Sequence, residues 1–120
     1  MTEQTVFVVD DDADVRDSIR FLLESAGLKV RIFSSGKTFL ADAAQAHGCL
    51  ISDIRMPDMT GLELQEELNR REIPLPVIVI TGHGDVPLAV RAMKAGAIDF
   101  IEKPFDDEQM LASVRRAQKR

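Results

Sequence analysis

The chain has little of several residue types that mark particular classes of protein. It has one cysteine, Cys49, which excludes an internal disulfide framework. Its two histidines are not accompanied by a cysteine pair, which argues against a zinc site. Lysine and arginine together number 15 against 20 acidic residues, and the net charge is −5. This balance disfavours direct nucleic-acid binding, because such domains are normally basic.

Long apolar stretches are also missing. No run approaches the roughly 18 apolar residues that a membrane-spanning helix needs. The N-terminal sequence "MTEQTVFVVDDD" has neither the basic region nor the long apolar stretch of a signal peptide. We therefore expect no membrane contact and a cytoplasmic location. With 120 residues, of which 45% are hydrophobic, the chain is predicted to form one domain over residues 1–120.

Short apolar runs alternate with segments of helical periodicity along the whole chain. Three of the runs are continuous and rich in valine and isoleucine, as in strands that are buried on both faces. The second run is different, because Lys29 and Arg31 alternate with Val30 and Ile32, which is typical of an edge strand. The predicted strands are 5–9, 29–33, 49–52, 76–80 and 97–101.

The segments between these runs have apolar residues three or four positions apart, as amphipathic helices do. In the first segment this spacing runs from Val15 to Ala26, and Gly27 follows as a C-cap. Strands that alternate with helices form right-handed βαβ units, so the fold class is predicted as doubly wound α/β, a parallel sheet with helices on both faces. The other helices are predicted over 35–46 with a serine N-cap, from Thr60, over 86–96 and around 110–117.

Polar residues lie at the ends of four of the predicted strands. The first strand ends in Asp10 and Asp11, the third in Asp53 and the fourth in Thr81, and the fifth runs into Lys103. In open parallel sheets the site lies at the carboxyl ends of the strands, at the topological switch point. If these strands are neighbours, three carboxylates, a hydroxyl and an ammonium group converge on one crevice.

This set of groups has a specific chemistry. Three adjacent carboxylates either raise one another's pKa or bind a cation. A site made only of oxygen ligands suits Mg²⁺, which favours a phosphate oxygen as a further ligand. Lys103 would pair with an incoming phosphoryl oxygen, Thr81 would donate a hydrogen bond to another, and Gly82 leaves room for the anion. One carboxylate would then be the nucleophile that forms an aspartyl phosphate.

Four motifs, "VVDD", "SDIRMPDMTG", "ITGHGD" and "FIEKPF", occur in this order along the chain. Together they resemble the receiver domain of two-component response regulators, and the segment "ITGHGDVPLAVRAMKAGAIDFIEKPF" is most similar to the FixJ branch of transcriptional regulators. The resemblance covers the whole chain. It implies a flavodoxin-like or CheY-like (βα)5 fold with strand order 2-1-3-4-5, and a phosphoacceptor switch that catalyses its own modification rather than a turnover enzyme.

The resemblance implies a role for each acidic residue at the strand ends. Asp53, the aspartate of "SDIRMPD", would be the phosphoacceptor. Asp10 and Asp11 would hold the metal together with Asp53, and the backbone carbonyl of Arg55 would complete the site. The expected cofactor is Mg²⁺, with Mn²⁺ as an alternative.

Four further residues take roles from the same resemblance. Thr81 would move to bond the phosphoryl group, and Lys103 would pair with it. Phe100 holds the position of the family's switch aromatic, which is often tyrosine and here lacks the hydroxyl. The bond before Pro104 corresponds to the family's cis peptide.

The resemblance also implies partners. A sensor histidine kinase would supply the phosphoryl group. Phosphorylated chains would pair as homodimers through the face formed by the fourth helix, the fifth strand and the fifth helix. DNA would be bound by a C-terminal domain after residue 120, and not by this domain itself.

Other interpretations of the same residues stay open at this point. Aspartates before a helix are usually N-caps, and we expect this role for Asp12 or Asp14. A phosphatase of the haloacid dehalogenase type also uses Asp-x-Asp, which Asp10 and Asp12 superficially fit, but Asp14 stands where that family has threonine or valine. A pseudo-receiver, which binds partners without taking phosphate, usually lacks an acidic or lysine position, and none is lost here. Asp58 is expected to be a turn residue and His83 a solvated loop residue.

Overall fold

The computed structural model describes residues 4–82 and 84–119. Five parallel strands form one sheet in the order β2-β1-β3-β4-β5, which confirms the predicted fold class and strand order. The elements are β1 Thr5–Val9, α1 Ala13–Ser25, β2 Val30–Phe33, α2 Gly36–Asp42, a short 3-10 helix Ala43–Gln45, β3 Gly48–Asp53, α3 Gly61–Arg70, β4 Val77–Thr81, α4 Val86–Lys94, β5 Asp99–Glu102 and α5 Asp107–Gln118.

The sheet has a hydrophobic core on each face. Successive residues of β1 point to opposite faces, so Val8 packs with Ile19 of α1 and Met110 of α5, while Val9 packs with Phe39 of α2. All five residues of β1 and of β4 are buried, as expected for central strands with helices on both sides. Strand β2 is only partly buried and lies at the edge, as its alternating charges predicted.

Local sequence signals account for several helix ends. The Asp12 side chain caps α1 by accepting the backbone N–H groups of Asp14 and Val15, so the N-cap is Asp12 and not Asp14. Gly27 ends α1 with a φ of +84°, and the N–H of the next residue, Leu28, bonds to the carbonyl of Leu23. This is the Schellman arrangement, which favours glycine.

Several predicted boundaries are different in the structure, and for two of them the cause is visible. The fifth strand is Asp99–Glu102 rather than 97–101, because the N–H of Ala97 bonds to Ala92 and ends α4. The predicted helix 35–46 contains α2 and then a separate 3-10 helix, since Asp42 leaves helical geometry at the junction with φ −108° and ψ 0°. None of the helices in the described ranges is long and apolar enough to cross a membrane.

Candidate functional site

The carboxyl edge of the sheet holds an acidic cluster, which consists of Asp10, Asp11 and Asp53. Strands β1 and β3 are paired with Val9 opposite Ser52, so the next residue of each strand, Asp10 or Asp53, lies beside the other. Each of the three residues offers a carboxylate oxygen, and these oxygens lie within 4.8 Å of one another. Asp10 is fully buried, Asp53 is 7% exposed and Asp11 is open to solvent.

Lys103 is the cation that faces this acidic cluster. Its Nζ lies 3.3 Å from Oδ2 of Asp10 and 3.4 Å from Oδ2 of Asp53. Its backbone N–H bonds to the carbonyl of Thr81 at 2.9 Å, and its peptide bond to Pro104 is cis. Burial lowers the pKa of Lys103, but the carboxylates of Asp53 and Asp10 outweigh it, so the net pKa is raised. Lys103 is therefore charged at neutral pH.

The electrostatics of Asp53 differ from those of an ordinary aspartate. Its pKa is raised to about 6, first because burial disfavours the charged carboxylate and then because the Asp10 carboxylate repels it. Lys103 and the backbone N–H of Arg55, which lies 3.5 Å from Oδ1, act in the opposite direction. At neutral pH Asp53 is thus mainly ionised, as a nucleophile must be.

The donor atoms of the acidic cluster fit a hard divalent cation. Oδ1 of Asp10 accepts the N–H of Asp12 at 2.9 Å, whereas the buried Oδ2 has no hydrogen bond among the described residues and faces the Lys103 ammonium at 3.3 Å. One ammonium group does not balance the three carboxylates of the acidic cluster, so the cluster can take a further cation. All the metal ligands that the side chains of the acidic cluster offer are carboxylate oxygens, the ligand type that Mg²⁺ takes in proteins.

Thr81 and Phe100 lie on one face of the sheet beside the acidic cluster. Thr81 is the last residue of β4 and fully buried, and its hydroxyl donates to the adjacent carbonyl of Gly82 at 3.2 Å. Phe100 pairs in register with Val79, two residues before Thr81, so both side chains point to the same face. The half-buried Phe100 ring packs against the core cluster that includes Ala92 of α4.

The backbone around the acceptor is held closely. A Cβ at Gly61, the first residue of α3, would lie 2.7 Å from the carbonyl oxygen of Asp53. The N–H of Gly61 donates to Ile54 at 2.8 Å, and the hydroxyl of Ser52 donates to the Asp53 carbonyl at 3.0 Å. Only glycine permits this approach of α3 to the end of β3.

Three contacts at the site were not anticipated from the sequence. Arg16 of α1 donates through Nη1 to the carbonyl of Asp10 at 2.6 Å and so holds the loop that carries two of the acidic residues. The Arg55 side chain pairs with Asp85 before α4, whereas the sequence predicted a role only for the Arg55 backbone carbonyl. The third is the approach of Gly61. The sequence from Asp85 to Pro87 indicates the N-terminus of α4. It does not indicate that Asp85 pairs with Arg55.

The remaining candidates have ordinary structural roles or are not placed. Asp58 accepts the backbone N–H of Lys37 at 2.9 Å, so it ties the turn after β3 to α2, which agrees with the predicted turn role. His83 lies outside the described residues. Cys49 is fully buried, and burial raises the pKa of its thiol to about 12, as expected for a small core residue.

This doubly wound sheet with acidic and lysine side chains at its carboxyl edge has the form of a receiver domain. A profile of the response regulator receiver domain matches residues 6–115, and the chain belongs to that family. The family assignment made from the four sequence motifs is therefore confirmed.

The relatives place the chain near one branch of the family. It is 57% identical over 111 residues to the transcriptional regulatory protein FixJ of Azorhizobium caulinodans, a match that covers 92% of this chain and 53% of that protein. It is 49% identical over 118 residues to the response regulator protein TmoT of Ectopseudomonas mendocina, covering 98% of this chain and 54% of TmoT. The chain thus spans about half the length of these curated relatives.

Solved structures agree with this placement. The crystal structure of FixJ-N superposes with a TM-score of 0.93 at 50% identity, and the match covers 99% of this chain and 96% of that one. A full-length FixJ structure from B. japonicum gives a TM-score of 0.92 at 45% identity, and there the match covers 99% of this chain but 59% of the other. The similarity to the FixJ branch that the sequence indicated is confirmed.

Proposed function

We propose that Asp53 accepts a phosphoryl group from the phosphohistidine of a sensor histidine kinase, and that this modification switches the chain between two states. The observation that carries the proposal is the placement of Asp53 beside Asp10 and Asp11, with Lys103 3.4 Å away. Membership of the receiver family supports this role for the chain.

The transfer would be an in-line displacement. A carboxylate oxygen of Asp53 attacks phosphorus, the new P–O bond forms, and the P–N bond to the kinase imidazole breaks with its electron pair leaving on nitrogen. Lys103 and the Thr81 hydroxyl bind the phosphoryl oxygens and stabilise their charge. Asp10, Asp11, Asp53 and the Arg55 carbonyl would hold Mg²⁺, which supplies further charge neutralisation when bound. Because these groups belong to the receiver, it catalyses its own phosphorylation and the later hydrolysis.

The output would be a change of packing that starts at Thr81. When the Thr81 hydroxyl turns to the phosphoryl group, it vacates space on the face that Phe100 shares, and the Phe100 ring fills it. We define the switch face as the exposed surface of α4, β5 and α5. Its candidate dimer contacts are Val90, Arg91 and Lys94 on α4, with Glu102 and Asp106 near the end of β5.

Control of transcription would follow from dimerisation. The FixJ relatives are named transcriptional regulatory proteins and are nearly twice as long as this chain. We infer that a C-terminal DNA-binding domain follows residue 120 in the intact protein, and that pairing of two receivers brings two such domains together.

The direct test is phosphorylation by acetyl phosphate in the presence of Mg²⁺, followed by intact mass. The wild type should gain one phosphoryl group, Asp53→Asn should gain none, and EDTA should prevent the reaction. Asp58→Asn is the matched control, because its carboxylate lies five residues away and binds α2 instead. Equal labelling of Asp53→Asn would show that the acceptor is wrong. Repeated turnover on a phosphomonoester would favour a phosphatase, and an unlabelled wild type would favour a pseudo-receiver.

A further inference from the structure

An ion pair joins the loops that follow β3 and β4, the strands that end in the acceptor and the switch hydroxyl. Nε of Arg55 lies 2.6 Å from Oδ1 of Asp85. Arg55 comes two residues after Asp53, and Asp85 comes four residues after Thr81 and directly before α4. The Arg55 side chain is 67% exposed, whereas that of Asp85 is only 16% exposed. The pair therefore connects the loop after β3 with the residue that precedes α4.

Asp85 occupies the N-cap position of α4 but does not cap it. A side-chain capping bond is missing there within the described part of the chain, and the N–H of Leu88 bonds instead to the backbone carbonyl of Asp85 at 3.1 Å. Asp12 in the corresponding place before α1 does accept two backbone N–H groups. The Asp85 carboxylate thus has two alternative partners, the Arg55 guanidinium and the N-terminus of α4.

Hydrogen bonds to the carbonyl of Gly82 connect Thr81 and Asp85. The N–H of Asp85 bonds to the carbonyl of Gly82 at 3.2 Å. Gly82 follows Thr81 directly, and its carbonyl accepts the Thr81 hydroxyl in this structure. A Thr81 that turns to a phosphoryl group would give up this bond. A resulting movement of Gly82 would reach Asp85 through the bond between its N–H and the Gly82 carbonyl.

We propose that the Arg55–Asp85 ion pair is a latch that holds α4 in its unphosphorylated position. On switching, the Asp85 carboxylate leaves Arg55 and caps the first turn of α4. Arg55 and Asp85 are positioning residues here, since they act on α4 and need not touch the phosphoryl group. This inference rests on the proposed function, because it presumes that an anion on Asp53 draws Thr81 towards it.

The test measures the affinity for beryllofluoride, a phosphoryl analogue, at saturating Mg²⁺. Both Asp85→Asn and Arg55→Gln break the latch, so each should bind beryllofluoride about two- to fivefold more tightly than the wild type, as expected for a partly exposed ion pair. A simple charge effect on the anion predicts opposite signs, because Arg55→Gln would then weaken binding. The variant that combines Asp85→Asn with Arg55→Gln should bind beryllofluoride no more tightly than either single variant, because each substitution alone already removes the ion pair.

Two further variants sharpen the result. Asp85→Ala breaks the latch but cannot cap α4, so its gain should be smaller than that of Asp85→Asn. Asp42→Asn is the matched control, because it breaks a similar ion pair, 3.1 Å from Arg31, at the sheet edge remote from the site. It should leave the beryllofluoride affinity unchanged.

The outcomes separate the two proposals. A wild type that does not bind beryllofluoride overturns the proposed function. A wild type that binds, together with an Arg55→Gln variant that binds equally well or more weakly, overturns the latch alone. Equal gains in Asp85→Asn and Asp85→Ala overturn the exchange of Asp85 to the helix N-terminus.

Discussion

Asp53 is the residue whose environment most clearly opposes the stability of the fold. Burial and the neighbouring Asp10 raise its pKa to about 6, compared with 3.8 for an unperturbed aspartate. Between these two pH values the folded state holds a proton that the unfolded state has lost. The favourable contribution of this group is therefore present at low pH and is lost as the pH rises from about 4 through 6.

Asp53→Asn should consequently stabilise the metal-free protein at about pH 7.5 by about 1–2 kcal/mol, and this gain should vanish near pH 4. Urea denaturation in EDTA at each of these pH values measures the free energy of unfolding of the wild type and of the variant. The exposed Asp17, changed to asparagine, is the control and should give no such pH-dependent gain. An equal gain for Asp53→Asn at both pH values would contradict this explanation.

Gly61 shows how closely the backbone constrains the acceptor. A Cβ there would meet the Asp53 carbonyl at 2.7 Å and Cα of Ile54 at 3.1 Å, both of them backbone atoms that cannot yield easily. Gly61→Ala should lower the free energy of unfolding by about 1–3 kcal/mol. Gly36→Ala at the first position of α2 is the control, because the three atoms nearest to its Cβ would all belong to the flexible Met59 side chain. Urea titration of both variants checks this, and equal losses would refute it.

At the scale of single residues, sequence predicted the groups whose positions follow from strand ends. Asp10 and Asp53 lie together because they end paired strands, and strand pairing follows from the fold. The Arg55–Asp85 pair could not be predicted in this way. Both residues lie in loops, where the direction of a side chain depends on tertiary packing and not on any period in the sequence.

Elements were predictable where burial dominates their sequence. Strand β1 matches its predicted range because a strand that is buried on both faces has a continuous apolar run with clear limits. The fifth strand begins at Asp99, later than predicted, because the N–H of Ala97 is bonded to Ala92 of α4. Such hydrogen bonds between neighbouring elements leave no periodic signal in the sequence.

The end of α3 contains a strained residue. Glu72 has a φ of +59°, and its N–H bonds to the carbonyl of Asn69, while Ile73 bonds back to Leu68. This is again the Schellman arrangement, but with glutamate at the position that favours glycine. The left-handed conformation costs a residue with a side chain about 1–2 kcal/mol.

Replacing Glu72 with glycine should therefore raise the free energy of unfolding by about 0.5–1 kcal/mol, after the greater chain entropy of glycine is subtracted. Thermal denaturation at fixed pH measures the change. Glu66→Gly within α3 is the matched control and should destabilise the protein by about 1 kcal/mol, because its backbone is already helical. A Glu72→Gly variant less stable than the wild type would show that the side chain has a role that outweighs the strain.

At the scale of the whole molecule, the exposed large apolar side chains of the described residues lie on two helices, α1 and α4. Val90 on α4 is 41% exposed and lies beside the cations Arg91 and Lys94 on the switch face. Phe21 on α1 is 76% exposed and lies on the side of the sheet opposite to α4. The proposed dimer uses the switch face alone, so the two residues allow a matched comparison.

Val90→Glu should weaken dimerisation of the beryllofluoride complex at least about tenfold, because a carboxylate would be buried between the two chains. Beryllofluoride binding itself should be retained, since Val90 lies outside the acidic cluster. Phe21→Glu introduces the same charge on α1 and should dimerise like the wild type. Sedimentation velocity with and without beryllofluoride measures the association. If Phe21→Glu and not Val90→Glu loses the dimer, receivers pair through α1, and the switch face acts on another partner.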